Sequence, residues 1–559
     1  MTNREVAAIF DRIADMLQIK DEQLFKIKAY RQAANSIYHL DEDIHYLYDQ
    51  GRLQEIPGVG QAIKAKIEEL LEKGSSEYFN KLLEEVPSGV LDMLAIPGIG
   101  HKTVKTVYEK LGVRNLEELL EAAETKKIRS LPGMGGKTEY NIIKGIEMLE
   151  KSSEKSTLGF VLPMAEALLD FLLSCRQVKQ ASLAGSIRRG KALVTDIDIL
   201  AASLEEEAVR QKILNYRELK YVELSEKGHI KGKLKFNIPF EVIIVPPAEF
   251  YSGLLKTTGS KEHLEKLLHN NGRHIIPGAG SEKEIYESFH LSYIPPELRE
   301  NLGEIEAAGA GELPYLVELD DIQGDLHVHS TWSDGAGQIV EMAAAARDMN
   351  YSYLAITDHS RSLSISGGLS EERLQSQGIE IDTLNRQAEG FKILKGTEVD
   401  VLKDGSLDFS SGILQNLDIV IASIHSHFKL DKEKQTERII KAIKDDNVDI
   451  IGHLSGRLLN RRPAYELDFE RVLEEAALNK VILEINSHPD RLDIDAELAR
   501  RAKDYGIKIA VNSDAHHKND LKLTRYGVLN ARRGWLEKRD VVNTWTYDEL
   551  TGYIGRIKE

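Results

Sequence analysis

Gly324-Asp-Leu-His-Val-His-Ser330 begins the stretch that decides the fold, because the same pattern recurs six more times downstream. Tyr353-Leu-Ala-Ile-Thr-Asp-His-Ser360, Lys392-Ile-Leu-Lys-Gly-Thr-Glu-Val-Asp400 and Asp418-Ile-Val-Ile-Ala-Ser-Ile-His-Ser426 are short apolar runs that end on His, Asp or Glu. Asp449-Ile-Ile-Gly-His-Leu-Ser455, Val481-Ile-Leu-Glu-Ile-Asn-Ser-His488 and Lys508-Ile-Ala-Val-Asn-Ser-Asp-Ala-His-His517 follow. Between them lie stretches of helical periodicity, such as QIVEMAAAARDM (338–349) and KQTERIIKAIKDD (434–446). Apolar strands that alternate with helices predict parallel pairing, and seven such units predict a distorted (β/α)7 barrel.

The polar residues on these strands are metal-ligand types. His327 and His329 are two apart, so their side chains leave one face. Asp334 follows in the next loop, His359 ends the second run, and Glu398, His425 and His453 end the third, fourth and fifth. Asp514 and His516, again two apart, end the seventh. In a βα barrel the C-terminal strand ends meet at one rim. Imidazoles mixed with carboxylates favour Zn²⁺, Mn²⁺ or Fe²⁺ over Mg²⁺ alone. Nine ligands exceed the needs of one ion, so two or three are expected, a cluster able to ionise water beside a phosphate. Scattered core histidines are the alternative, and a shared place at strand ends argues against it. His427, His488 and His517 read as supporting, phosphate-contacting or surface residues.

Composition sets the frame. The chain has 559 residues, 42% hydrophobic and 29% charged, which suits three or four soluble domains. No apolar run approaches the ~20 residues that span a bilayer. The first 20 residues lack the apolar core of an export signal. Cys175 is the single cysteine, so intramolecular disulfides are excluded and a cytoplasmic setting is expected. A net charge of −17 argues against coating nucleic acid through the overall field, but leaves room for local phosphate contacts.

Upstream, a repeat marks a helical region. Ile56-Pro-Gly-Val-Gly60, Ile96-Pro-Gly-Ile-Gly100 and Leu131-Pro-Gly-Met-Gly135 share one pattern, and each precedes a lysine-bearing helical stretch. Such turns aim backbone N–H groups and a helix N-terminus at an anion. Gly58, Gly60, Gly98, Gly100, Gly133 and Gly135, with Lys64, Lys102 and Lys137, would grip DNA phosphates without reading sequence. A tight interhelical turn with no ligand is the alternative for any one copy.

A third signature lies at 185–198. Gly185-Ser-Ile-Arg-Arg-Gly190 precedes Thr195-Asp-Ile-Asp198, whose two carboxylates share one strand face and can hold a Mg²⁺ or Mn²⁺ pair. Ser186 and Arg189, with Gly185, suit a triphosphate. Residues 152–157 read as a polar linker, 164–175 as a helix, and 192–200 and 236–245 as β-rich runs.

Three resemblances follow from these motifs. His327-Val-His329, Thr357-Asp-His359, Glu398, Ser423-Ile-His425, Gly452-His453 and Asp514-Ala-His516 resemble the PHP (polymerase and histidinol phosphatase) family. That resemblance implies one metal on His327, His329, Glu398 and Asp514, a second on Glu398, His425 and His453, and a third on Asp334, His359 and His516. The repeats resemble helix-hairpin-helix motifs, and GSIRRG with TDID resembles the nucleotidyltransferase signature. Together they make the chain similar to bacterial and archaeal family X DNA polymerases.

The family resemblance implies lyase-like helices at 1–85, fingers at 86–151, a palm at 158–245, a thumb at 246–296, a linker at 297–322 and the PHP barrel at 323–559. It also implies that Lys26 and Tyr30 face a 5′-phosphate and that Lys66 matches a Schiff-base lysine; an ordinary solvated lysine is an equal alternative. Gly259 and Ser260 would join the nucleotide site. The chain departs from the family at Glu241, where aspartate is usual for the third palm carboxylate, and at Ile243, Lys256, Thr257 and Leu264. The expected function is repair of gapped, nicked or abasic DNA by a monomer. It would combine deoxynucleoside-triphosphate-dependent synthesis with 3′-5′ trimming and abasic-site incision. Alternatives are a nuclease with a weakened palm and, less fitting, a small-molecule phosphatase.

Overall fold

The computed structural model describes every residue except 2, 41, 97–98, 153–154, 272–277, 364–365 and 556–559. The chain forms two compact units, Met1–Glu154 with Asn460–Pro463, and Lys155–Leu459 with Ala464–Glu559.

The first unit is helical, and its three repeats share one plan. A short helix leads into a one-turn 3-10 helix and then a longer helix. The first copy uses Ile44–Asp49, Leu53–Glu55 and Gln61–Lys73. The second uses Ser88–Asp92, Met93–Ala95 and His101–Leu111, and the third Leu116–Glu124, Ile128–Ser130 and Gly136–Ser152. A single apolar core runs from Val6 through Leu53 and Ile96 to Ile146, so 1–85 and 86–151 are not separated by a break in packing.

The second unit begins with the helix Leu158–Leu173 against a five-stranded sheet. Its order is Gln180–Leu183, Ile197–Ala202, Pro239–Val245, His229–Leu234, Leu219–Glu226. Ile197–Ala202 and Pro239–Val245 run parallel, which sets Asp198 beside Glu241. The linker expected at 152–157 supplies Ser156–Thr157, which pairs with Leu193–Val194; 153–154 lie outside the described residues.

Residues 297–322, a linker by composition, are instead folded. Leu298, Ile305 and Ala308 are buried in one cluster with Leu255, Leu267, Tyr286 and Phe289, and Glu304–Ala310 is a helix. Its glycines cap that helix at both ends in the left-handed region, where glycine is strain-free. Composition registered the caps and not the apolar face between them.

The barrel has seven parallel strands in strict chain order, from Gly324–Val328 to Ile509–Asn512. A parallel bridge between Val328 and Ala515 joins the last edge to the first, so the barrel is nearly closed. Side chains alternate between faces. Tyr353, Ala355, Ile419, Ile421, Ile482 and Ala510 form an inner cluster that Val542 and Leu550 cover. Leu354, Ile356, Val420, Ala422, Leu483 and Ile485 pack on the surrounding helices. The inner faces are thus apolar at one end and polar where the strands finish.

Candidate metal centre and palm site

Glu398 is the hub of the barrel rim. It is 1% exposed, and five imidazoles stand within reach of its two oxygens. Oε2 lies 2.8 Å from His359 Nδ1, 3.5 Å from His327 Nε2 and 3.6 Å from His329 Nε2. Oε1 lies 3.0 Å from His453 Nε2 and 3.2 Å from His425 Nε2. Asp514 Oδ1 is 3.2 Å from His329 and 3.6 Å from His327. Asp334 lies 3.4 Å from His516 and 3.5 Å from His359. All nine sequence-expected ligands are therefore brought together.

Three groups have the spacing of a metal site: His327 with His329 and Asp514; His359 with Glu398 and His425; and His329 with Asp334, His359 and His516. His329 and His359 each stand in two groups, a sharing that the family pattern did not anticipate, since it had given each to one ion.

Several of these atoms are buried and lack hydrogen-bond partners: His327 Nε2, both ring nitrogens of His329, His359 Nδ1, His453 Nδ1 and Glu398 Oε2. A buried polar atom left unsatisfied is costly, and a convergent set of nitrogens and carboxylate oxygens fits divalent cations. Electrostatics agree. Burial works against ionising Glu398, yet His425, His359 and His327 hold it well below the usual carboxylate range. Burial, then His516 and His359, pushes His329 down to about 4, so it is neutral as a ligand must be. His516 is pushed up to about 9 against its burial, chiefly by Asp334 and Asp514.

Sequence reading missed the carboxylates behind the ligands. Glu484, fully buried, accepts from His327 Nδ1 at 2.7 Å, from the His453 backbone at 2.8 Å and from Asn512 at 2.9 Å. Asp400 pairs with His425 Nδ1 at 2.7 Å. Each fixes which ring nitrogen is left to face inward. Their signal was present, since Glu484 sits two residues beyond inward Ile482, but no motif named it. His453 (φ +27°) and Asp514 (φ +55°) lie in the left-handed region. Both are buried and held, His453 by Glu484 and Asp514 by Asn486 at 2.9 Å. His488 and His517 turn inward to their own loops: each ring accepts from a backbone N–H two residues on.

The palm is different. Asp198 faces Gly185 so closely that a Cβ there would stand 1.9 Å from its Oδ2, and Gly185 has φ +57°. Burial, then Asp196 and Glu241, pushes Asp198 up to about 7. Glu241 is already paired, with His229 Nδ1 at 2.6 Å and Lys231 Nζ at 3.1 Å. Among the described residues, ligand groups with metal-site spacing occur in the barrel and not in the palm. The Ser186 hydroxyl is buried without a hydrogen-bond partner. Arg188 pairs with Glu282 at 2.6 Å, and Arg189 with Glu300 at 2.9 Å. Ser260 is 7% exposed, and its hydroxyl accepts from His263 N at 3.1 Å, so it caps the helix that follows. Gly259 lies against Leu264, where a Cβ would meet its Cγ at 2.9 Å.

In the helical unit, Gly58 and Gly133 take positive φ, Gly60 and Gly100 cap the following helices, and the space around Gly60, Gly100, Gly133 and Gly135 is open. Lys64 reaches Glu68 at 3.6 Å, and Lys102 is exposed. Gly98 and the Lys137 side chain lie outside what is described. Lys26 and Lys66 converge on the Tyr78 ring, at 5.7 and 4.7 Å. Burial, then Lys26, lowers the Lys66 ammonium pKa. Tyr30 corrects another expectation. It is 5% exposed and stacked between Phe10 and Tyr78, so it supports this patch from beneath.

Comparison with known proteins follows the same division. A helix-hairpin-helix domain matches residues 1–76, a SAM-like helix-hairpin-helix tandem 90–148, and a PHP domain 325–488. The chain is 35% identical to the DNA polymerase/3′-5′ exonuclease PolX of Bacillus subtilis, with 100% of both chains covered. A probable phosphatase of Thermoanaerobacter sp. is 33% identical over 42% of this chain and 92% of its own length. One from Caldanaerobacter subterraneus is 36% identical over 34% of this chain and 75% of its own.

Proposed function

The chain belongs to the family of PolX DNA polymerase/3′-5′ exonucleases with a C-terminal PHP domain, and from that premise we propose that it repairs DNA ends, trimming them in the barrel and filling short gaps in the palm. The observation that carries the trimming reading is Glu398, buried among five imidazoles, three of which (His327, His329 and His359) turn a nitrogen without a hydrogen-bond partner toward it.

We assign the nine rim residues to two or three Zn²⁺, Mn²⁺ or Fe²⁺ ions. Bound there, such ions supply an ionised water and neutralise a phosphodiester under attack. The protein's own part is orientation. Glu484 and Asp400 hold the His327 and His425 rings, and the three carboxylates balance the charge of the cluster. Asp196, Asp198 and Glu241 would hold Mg²⁺ or Mn²⁺ in the palm, with Gly185, Ser186 and Arg189 toward a deoxynucleoside triphosphate. The open hairpin turns would hold duplex phosphates, and the lowered Lys66 ammonium suits an amine facing an abasic sugar. The single cysteine suits a cytoplasmic setting.

The test is degradation of a primer 3′ end in Mn²⁺ by the full chain, beside extension across a one-nucleotide gap. Absence of both would remove this reading. A second reading, a nuclease with a weak palm, is favoured by Glu241, which His229 and Lys231 already neutralise. Nuclease without extension, in a chain that still binds gapped DNA, is its signature. A small-molecule phosphatase would have no use for three hairpin turns.

A further inference from the structure

The Gly185-Ser-Ile-Arg-Arg-Gly190 turn of the palm rests on the barrel. Gly190 has φ +66°, and a Cβ there would stand 3.4 Å from Leu529 Cβ and 3.8 Å from Arg533 Cδ. Both residues belong to the barrel helix Thr524–Arg533. Arg533 Nη1 donates to the Arg189 carbonyl at 2.8 Å and to Glu300 Oε1 at 3.1 Å. Arg189 Nε donates to that same oxygen at 2.9 Å, and Lys191 Nζ lies 3.1 Å from Oε2. One carboxylate therefore serves three cations, and its side chain is only 12% exposed.

Arg189 is held at two of its three nitrogens in this arrangement. Its Nη1 donates to the Thr258 carbonyl at 2.8 Å, and its side chain is 10% exposed. Nearby, the Ser186 hydroxyl is buried without a partner, as a phosphate-facing group would be. A triphosphate offers a guanidinium the same two-oxygen geometry as a carboxylate, with more charge. For Arg189 to turn its Nε edge to one, it must leave Glu300. How readily it leaves depends on what else holds that carboxylate, because two cations on one oxygen share its charge and lone pairs.

We propose that Arg533 of the barrel is a positioning residue for nucleotide binding in the palm: by sharing Glu300 Oε1, it eases the transfer of Arg189 from that carboxylate to a triphosphate. The proposal rests on the reading that the palm binds a deoxynucleoside triphosphate at this turn. It links the two active regions by a route that needs no contact with the metal ligands.

The experiment uses the full chain with Asp514→Ala to silence trimming. It measures kcat and KM for a dNTP on a one-nucleotide gap, and binding of a fluorescent dNTP analogue by anisotropy. Arg533→Ala should raise KM about tenfold and weaken analogue binding in step, with kcat within about twofold. Glu300→Gln should lower KM severalfold, and the double variant should follow Glu300→Gln. Arg533→Lys, which keeps the charge but not the fork, should fall between the parent and Arg533→Ala. A merely structural role predicts that both single variants weaken binding, and a raised KM in Glu300→Gln overturns the proposal. Thermal melting screens each variant; should Arg533→Ala not fold, Glu300→Gln decides alone, an unchanged KM counting against. A parent chain that neither extends nor binds the analogue removes the polymerase reading itself, which the other outcomes leave standing.

Discussion

The barrel rim and the palm both place carboxylates at strand ends, yet their charges are in opposite condition. Glu398 in the barrel meets His327, His329 and His359 through nitrogens that have no hydrogen-bond partner, the donor set of a cation site. In the palm, Glu241 is matched by His229 and Lys231, and Arg188 and Arg189 by Glu282 and Glu300. A ligand completes the first site, whereas it must displace protein partners in the second. Shared chemistry therefore does not mean equal readiness: what decides is whether the protein has already satisfied its own groups.

The largest expected effect breaks the comparison at the barrel. His327→Ala or Asp514→Ala should reduce 3′-end degradation in Mn²⁺ to background, followed on labelled primers. Undiminished nuclease would mean that the rim is not the cutting site. In the palm, Asp196→Ala with Asp198→Ala, in a trimming-silent chain, should remove gap extension; extension that survives would place synthesis elsewhere.

Next in size is Glu484→Gln, which tests whether the carboxylate behind His327 readies the site. Metal affinity should fall about 10–100-fold, read by titration calorimetry with Mn²⁺. Unchanged affinity would leave Glu484 as packing alone. A smaller effect concerns pH. Asp198 titrates near 7 because burial, then Asp196 and Glu241, disfavours its charge. It is protonated below that pH, and only the ionised form can hold a cation. Extension at low Mg²⁺ should then fall about tenfold per unit as pH drops below 7. Added Mg²⁺ should move the midpoint down, because the cation competes with the proton. A flat profile between pH 5.5 and 8 would sever Asp198 from the reaction.

The smallest effect on either chemistry is expected from Leu492→Ala. Leu492 comes from the barrel but lies buried with Leu158, Leu162 and Phe240 of the palm. Its truncation should cost about 2–5 kcal/mol in chemical denaturation and leave metal affinity unchanged. A loss well below 1 kcal/mol would show that palm and barrel do not share a core.

Much of this was legible in the chain itself, and the illegible parts have causes. Strand alternation and ligand spacing are local, so His327 with His329 and Asp514 with His516 announced a metal rim before any tertiary contact was known. The hairpin turns were equally local, each needing only Pro-Gly and a following helix. Tyr30 was misplaced because a motif gives a residue's position along the chain and not which side of the helix the core takes. The helix cap at Ser260 escaped notice for a related reason, since a capping hydroxyl and a phosphate-binding hydroxyl look alike in sequence. Glu484 and Glu300 escaped notice because each acts on residues far away in the chain, His327 and Arg189, through contacts that no local pattern encodes.

What the sequence determined, then, was the chemistry available: eight ligand-type residues in six of seven strand-ending runs with a ninth in the loop after the first, three Pro-Gly turns that each open a helix, and a pair of palm aspartates. Only the tertiary structure decided which of these groups remain unsatisfied. Ligand identity follows from residue type and spacing, which covalent geometry carries along the chain. Satisfaction depends on partners that folding brings from a hundred residues away or more, as Glu300 reaches Arg189 and Arg533 reaches both.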